Sequence, residues 1–426
     1  MTSAADRDER EGSEAVTPTG SRLARLLRGS AGIAVAMAVM NVGTYAFQMV
    51  SARMLGPSQY GAVASLMALL MVLSVVQLGL QATAARRIVA EPHDVAAIEE
   101  SILTATWRAS WALGGVALVL SPLVWWLLHL DTVIPAIVLA LAVVPTTVMG
   151  GQAGVLQGER RWLPLSLMYV AAGVPRVVLG AGFLLVRQTE ASAMAGVLVA
   201  AWLPVVIGSI ALRGHRPHPP ENAHDAEVRR DVRREVWGSS MALLAFTALS
   251  NLDVVVARNV LDFRDAGLYA GGLIVTKVVL FLPQFAVVIL YPSMSTAEES
   301  RRAILRGLVF LGGIGAACIA GAYVLRDVAQ VFIGGDKYAG VTDRLWLFAA
   351  IGALLAILQL LVYGGLAKRG ILPKYVVAAG VVAMIGVGVL ATQLTALAVT
   401  VLAVDAVVLA VLLVLVLLRD GGRTAV

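Results

Sequence analysis

The chain has 426 residues, of which 59% are hydrophobic and 14% charged, and its mean hydropathy is +0.84. No soluble core could bury that much apolar surface, so the composition excludes a soluble globular domain and indicates a chain that crosses a membrane many times. The net charge of +6 and the pI of 9.7 would suit nucleic acid, but the basic residues fall in alternate loops, a topology signal that sets nucleic acid aside as a partner.

Residues 1–29 are polar and of mixed charge and lack the apolar core and small-residue cleavage site of a signal peptide. They are expected to form a disordered cytoplasmic tail ahead of a first span that the mature chain retains. At about 20 apolar residues per span, the following runs divide into about twelve helices. These lie near 31–52, 60–85, 107–128, 133–157, 163–186, 192–212, 237–257, 266–291, 304–325, 342–367, 373–392 and 395–418. The runs are apolar all round rather than alternating, which excludes a membrane barrel and gives an all-α polytopic protein. The polar stretch from Arg213 to Gly238 then separates an N-terminal six-helix bundle, 30–212, from a C-terminal one, 237–418, with 213–236 as a basic cytoplasmic linker and 419–426 as a second tail. Within the linker, "AEVRRDVRREVW" has the spacing of an interfacial helix. His215, His218 and His224 lack acidic or cysteine partners for a metal, so no metal site is assigned.

The N-terminal tail, the loops after even-numbered spans and the C-terminus hold about 24 Lys and Arg, and the other loops about 7. That asymmetry places both termini in the cytoplasm of a multi-pass plasma (inner) membrane protein. The single cysteine, Cys318, falls in the ninth span, which excludes an intramolecular disulfide.

The halves share a pattern. "VSARMLGPSQYGAVASL" after span 1 aligns with "VVARNVLDFRDAGLYAGGL" after span 7, setting Arg53 opposite Arg258, Gly61 opposite Gly267 and Ala64 opposite Ala270. Six spans per half is an even number, so the repeat is parallel, about an axis along the membrane normal, and bundles so related place a substrate between them.

The stretch "ARMLGPSQYGAVASL", the end "QLGLQATAARRI", the weaker second copy and "LYPSMS" after span 8 resemble the polysaccharide and oligosaccharide-lipid flippases of the multidrug/oligosaccharidyl-lipid/polysaccharide exporter superfamily. The resemblance extends over most of residues 30–420. It implies two pseudo-symmetric six-helix bundles around a central cavity that opens alternately to each side, and a polyprenyl-linked oligosaccharide or polysaccharide precursor as cargo. Membrane lipids, and glycosyltransferases or a polymerase of the same pathway, are the implied partners. The chain departs from the lipid II flippases of the superfamily, which typically have two further helices.

Candidate residues follow in chain order. Asn41, Thr44, Gln48 and Ser51 share one face of span 1, and Ser74, Gln77 and Gln81 one face of span 2. These stripes suit either a hydrated wall for sugar hydroxyls or helix-to-helix hydrogen bonds. Arg53, Arg176, Arg258 and Lys277 are candidates for an anionic headgroup, since the arginine fork donates two bonds to a phosphate; lipid snorkelling or neutralisation of a carboxylate are the structural alternatives. Asp253 and Asp405 stand at bilayer depth and are candidates for ion coupling, by proton or sodium, against simple ion pairing with Arg258 or Lys277. The resemblance adds that such flippases often carry an acidic or polar cation site in span 7. "DVAQVFIGGDKYAG", 327–340, reads as a short amphipathic segment on the external face that either gates the mouth or connects two spans. No cofactor is called for beyond a coupling H+ or Na+, no catalytic residue is assigned, and no nucleotide-binding loop of Gly-x-x-x-x-Gly-Lys-Ser/Thr form occurs.

The expected function is therefore an ion-coupled flippase, a secondary transporter rather than an enzyme. Multidrug or metabolite efflux by the same fold is the alternative. A membrane glycosyltransferase or ligase comes third, because external connections are mostly under about ten residues and leave little room for a catalytic loop.

Overall fold

A computed structural model of the chain describes residues 30–91, 95–213, 241–290, 297–367 and 372–421. The tail 1–29, almost all of the basic linker with its three histidines, and residues 422–426 lie outside the described residues, as does the side chain of Gln284. The described elements are helices throughout, with no strand among them. The N-terminal bundle comprises α1 (Ser30–Leu55), α2 (Pro57–Leu73), α3 (Val75–Ala90), α4 (Val95–Val119), α5 (Ser121–Leu127), α6 (Ile134–Gly158), α7 (Trp162–Val186) and α8 (Glu190–Leu212). The C-terminal bundle comprises α9 (Met241–Leu249), α10 (Asp253–Val260), α11 (Phe263–Leu290), α12 (Ala297–Val324), α13 (Arg326–Ile333), a 3-10 segment (Gly335–Arg344), α14 (Leu345–Ala367), α15 (Leu372–Gly388) and α16 (Leu394–Gly421).

Among the described residues nine helices are long and apolar enough to cross a membrane, and the α9–α10 pair, bent by 41°, makes a tenth. The long α11 and the shorter apolar α15 complete the twelve expected spans. The third span starts at Val95, well before the expected 107, because its first turns are amphipathic: Ile98 and Ile102 are buried beside Glu99 and Glu100, a pattern mean hydropathy does not register.

Local chemistry sets the breaks. Gly56, at φ 76°, forms a one-residue turn between α1 and α2, and Pro57 opens α2 where its missing N–H costs nothing. Ser74 interrupts span 2 between α2 and α3, its hydroxyl donating to the Met71 carbonyl at 2.7 Å.

Equivalent spans of the two halves occupy equivalent places. Spans 4 and 10 (α6 and α14) are central, with 72% and 67% of their apolar windows buried, whereas spans 3 and 9 (α4 and α12) are peripheral at 22% and 17%. Neighbour relations repeat as well: α4 packs on α6 as α12 packs on α14, and α6 on α8 as α14 on α16. The fold is thus two pseudo-symmetric six-helix bundles in a multi-pass membrane protein, as the sequence repeat leads one to expect.

Small residues let the N-terminal helices approach. Gly150, Gly154 and Gly158, spaced by four along α6, face α3, and a Cβ at Gly154 would lie 2.6 Å from both the Ala84 methyl and the Gln81 carbonyl. Gly154→Leu is therefore expected to overpack this contact by about 1–3 kcal/mol. Thermal unfolding of the purified protein in detergent should show a lowered midpoint, and an unchanged midpoint would mean that α3 and α6 separate freely.

Candidate functional site

The two bundles meet most closely at the end opposite the chain termini, hereafter the far end. There α2 crosses α11 through the pair that the repeat makes equivalent. A Cβ on Gly61 would come within 3.2 Å of the Gly267 backbone, and one on Gly267 would collide with the Pro57 carbonyl. Gly267 admits no Cβ in this arrangement, and one at Gly61 would press the two backbones apart by a few tenths of an ångström.

Arg258, in the last turn of α10, closes the same seam. Its Nε donates to the Leu128 carbonyl at 3.0 Å, one terminal nitrogen to the Ser58 carbonyl at 3.0 Å and the other to the His129 carbonyl at 3.3 Å. All three acceptors belong to the N-terminal bundle. His129 adopts φ 48°, a left-handed turn, and Trp125 Nε1 holds the loop by donating to the Leu130 carbonyl at 2.9 Å. The guanidinium lies 4.3 Å from the centre of the Phe263 ring. Buried Glu190, which accepts from the Asp131 N–H at 3.1 Å, and Asp131 itself are its charged neighbours across the seam.

The 3-10 segment of the C-terminal bundle adds a plug. Tyr338 is fully buried, donates to the Ala52 carbonyl of α1 at 3.2 Å and meets the Tyr60 ring edge-on at 6.4 Å, while Lys337 Nζ donates to the Arg53 carbonyl at 3.3 Å.

Below this seam a small cleft, with room for little more than water in this conformation, lies between the bundles. Gln48, Ala64, Met67, Ala68 and Met71 line it from one bundle, and Asn251, Asp253, Val254, Ala270, Leu273 and Lys277 from the other. Tyr60 donates to Gln48 Oε1 at 3.2 Å and aims that amide at the wall.

The bend in span 7 falls at this wall. Between α9 and α10 the chain turns through Ser250, Asn251 and Leu252, leaving backbone carbonyls outside the helical ladder. Lys277 Nζ of α11 donates to the freed Ser250 carbonyl and, at 3.0 Å, to Asn251 Oδ1. Asn251 Nδ2 donates to the Thr247 carbonyl at 2.8 Å, which fixes the amide. Asp253 Oδ1 accepts from the Val254 N–H at 2.9 Å and Oδ2 from the Tyr269 hydroxyl at 2.9 Å. Among the described residues neither Arg258 nor Lys277 makes an ion pair with Asp253. Asp405 of α16 is completely buried, and among the described residues neither carboxyl oxygen has a hydrogen-bond partner. Asp253, Lys277 and Asp405 lie within electrostatic reach of one another, and Tyr269 lies within reach of the two carboxyl groups.

The candidate residues thus fall into separate places. Gln48, Asp253 and Lys277 meet at the cleft, with Asp405 behind them. Arg258 is committed to the seam, and Arg53 is exposed at its rim. Arg176 meets Thr44 Oγ1 at 3.4 Å inside the N-terminal bundle and does not line this cleft. Thr44 also bonds back to the Met40 carbonyl at 2.9 Å, Ser51 is buried, and Asn41 is half-buried. On span 2, Gln81 donates to Gln157 and Tyr169 at 2.9 and 2.7 Å, and Gln77 packs on Gly150, so that stripe serves contacts within the bundle. Sequence reasoning missed Glu190, Tyr269 and Tyr338. Each is an ordinary residue near a helix end or in an apolar run, and its partner is distant in the chain.

The sequence profile of a family described as polysaccharide biosynthesis protein matches residues 26–298. No curated protein matches the chain in sequence. Among solved structures the chain is similar to an inward-facing multidrug resistance MATE family transporter of the MOP superfamily, at a TM-score of 0.75 and 14% identity, covering 94% of this chain and 99% of that one. It is also similar to the eukaryotic MATE transporter AtDTX14 (0.63, 15%, 93% and 96%) and to a MOP superfamily transporter from Pyrococcus furiosus (0.53, 17%, 96% and 100%). At these identities the likeness defines the fold.

Proposed function

The chain belongs to the polysaccharide biosynthesis protein family and has the fold of MOP-superfamily transporters, and from that premise we propose that it flips a lipid-linked oligosaccharide or polysaccharide precursor across the plasma membrane by alternating access, coupled to an ion gradient. The observation that carries this reading is the cleft itself. It lies between the pseudo-symmetric bundles, and its wall sets one ammonium, Lys277, across from the Gln48 amide, which can bond sugar hydroxyls. The polyprenyl tail stays in lipid while the charged head and sugars pass between the bundles.

In this reading the termini and basic loops face the cytoplasm and the seam is the external gate. Lys277 attracts the anionic head within the cleft. When the seam opens, Arg258 loses its carbonyl partners and, with Arg53 at the rim, offers its donors to the departing phosphate. Arg176, with Thr44, supplies positive charge from the N-terminal bundle. Asp253 and Asp405 carry the coupling ion. Glycosyltransferases supply the cargo and a polymerase or ligase consumes it.

The test is transbilayer movement of a polyprenyl-pyrophosphate oligosaccharide in proteoliposomes under an imposed gradient. Wild type is expected to move it, and Arg53→Ala/Arg258→Ala to lower the rate about ten-fold or more, the loss of one charge-assisted bond of about 1.5–3 kcal/mol. An unchanged rate in the double variant would return both arginines to lipid-headgroup and seam contacts alone. A second reading, export of organic cations, draws on Met67, Met71 and Asp253 in the cleft wall, where adaptable thioethers and a carboxylate suit an apolar cation. Efflux of such cations with no movement of lipid-linked sugar would favour it.

A further inference from the structure

The buried cluster at the bend of span 7 contains its own cation. The Ser250 carbonyl and Asn251 Oδ1 are the neutral oxygens that a metal ion in this pocket would use, and the Lys277 ammonium already holds both. The negative charge of Asp253 is met by two donors, Tyr269 and the Val254 N–H. One ammonium and one carboxylate make the cluster neutral.

Asp405 stands outside that balance. It is completely buried, neither oxygen accepts a hydrogen bond from the described residues, and its charged neighbours among them are Asp253 and Lys277. An ionised carboxylate in such a place would lack every compensation that burial requires, so Asp405 is protonated in this conformation. Among the described residues of the elements packed on α16, α14 carries no charged side chain, α15 carries Lys374, α10 carries Asp253 and Arg258, and α11 carries Arg264, Asp265 and Lys277; of these, Asp253 and Lys277 are the charges that act on Asp405. Lys277 and Asp253 line the cleft, so they stand between Asp405 and water.

We infer that Asp405 is the proton-carrying group of this transporter and that Lys277 is its exchangeable counter-ion, so that the coupling ion is H+ and not Na+. When the Asp405 proton leaves for water in the cleft, one ammonium faces two carboxylates, and it swings off the Ser250 carbonyl and the Asn251 amide to lie between Asp405 and Asp253, the cluster carrying one net negative charge until a proton returns. Those oxygens are what hold the break in span 7 against α11, so their release frees the bend. Proton uptake reverses the exchange. The inference rests on the ion-coupled reading given above, but its test needs no sugar-lipid substrate.

The experiment is hydrogen exchange of residues 241–260 in the purified full-length protein across a pH series, in NaCl and in KCl at equal ionic strength. Wild type is expected to lose protection as pH rises, with one midpoint that is the same in both salts. Asp405→Asn, which cannot ionise, should hold protection flat across the series. Lys277→Met removes the two contacts whose release frees the bend, so in KCl its protection should be low and should not change across the pH series. The same variant vacates the Ser250 and Asn251 oxygens beside Asp253, so sodium should now protect the segment where potassium does not. Sodium-specific protection in wild type, or a pH midpoint that Asp405→Asn leaves in place, would overturn the inference. The salt comparison on wild type stands even if a variant fails to fold. Flat flipping in proteoliposomes alongside the expected exchange pattern would instead overturn the cargo assignment alone.

Discussion

Arg258→Ala is expected to open the far end of the molecule, raising the labelling of a cysteine placed at Ala52 by about ten-fold or more. Ala52 is fully buried on α1 behind Tyr338, so a membrane-impermeant maleimide reaches it only when the seam parts. The background would carry Cys318→Ala, which removes the only native thiol. The size follows from what Arg258 does: three carbonyls of the N-terminal bundle accept from one guanidinium of the C-terminal bundle. One charge-assisted bond is worth about 1.5–3 kcal/mol, and the three are not additive, because loop 128–130 moves as a unit. A loss of even one such increment shifts a two-state equilibrium ten-fold or more. Arg258→Lys keeps the charge but not the fork, and should fall between wild type and alanine. Labelling that stays at the wild-type rate would mean that the Gly61–Gly267 crossing and the Tyr338 plug hold the seam without Arg258.

How far the sequence foretold this can be judged at Gly61 and Gly267. Aligning the halves paired them by number, and the structure shows a physical reason for the pairing: they are where the two copies touch. Hydropathy placed the spans because a bilayer imposes a length on every apolar run. Arg258 and Arg53 look alike in sequence, yet one is buried in three hydrogen bonds and the other exposed. Nothing local distinguishes them, since the acceptors of Arg258 lie about 130 and 200 residues away in the chain. The stripes on spans 1 and 2 were periodic but ambiguous for the same reason. A polar face does not reveal whether it meets water or a neighbouring helix, and Gln81 has met Gln157 and Tyr169. Asp253 and Asp405 were legible because a carboxyl group in an apolar run is costly wherever it lands.

Asp253→Asn should abolish dependence of transport on the ion gradient while leaving the protein folded. The asparagine oxygen can still accept from the Val254 N–H, and its Nδ2 can donate to the Tyr269 hydroxyl oxygen once that hydroxyl rotates, so the geometry of α10 keeps its hydrogen bonds. What it loses is the charge that balances Lys277. An uncompensated buried ammonium costs about 3–5 kcal/mol, and the cluster avoids that cost only if Asp405 gives up its proton and pairs with Lys277. A carboxylate held in that pair no longer exchanges protons over the working pH range, so the gradient has nothing to act on. Downhill movement of cargo should persist, and accumulation against a concentration difference should stop. Adding Lys277→Met removes the stranded charge, so the double variant is expected to be more stable than the sum of the single losses predicts, with a coupling of about 1–3 kcal/mol. It should remain uncoupled, because a neutral Asp405 without its counter-ion has no way to ionise. Gradient-driven accumulation by Asp253→Asn at the wild-type level would show that the carboxylate at 253 serves only the bend in span 7, with the coupling ion carried elsewhere.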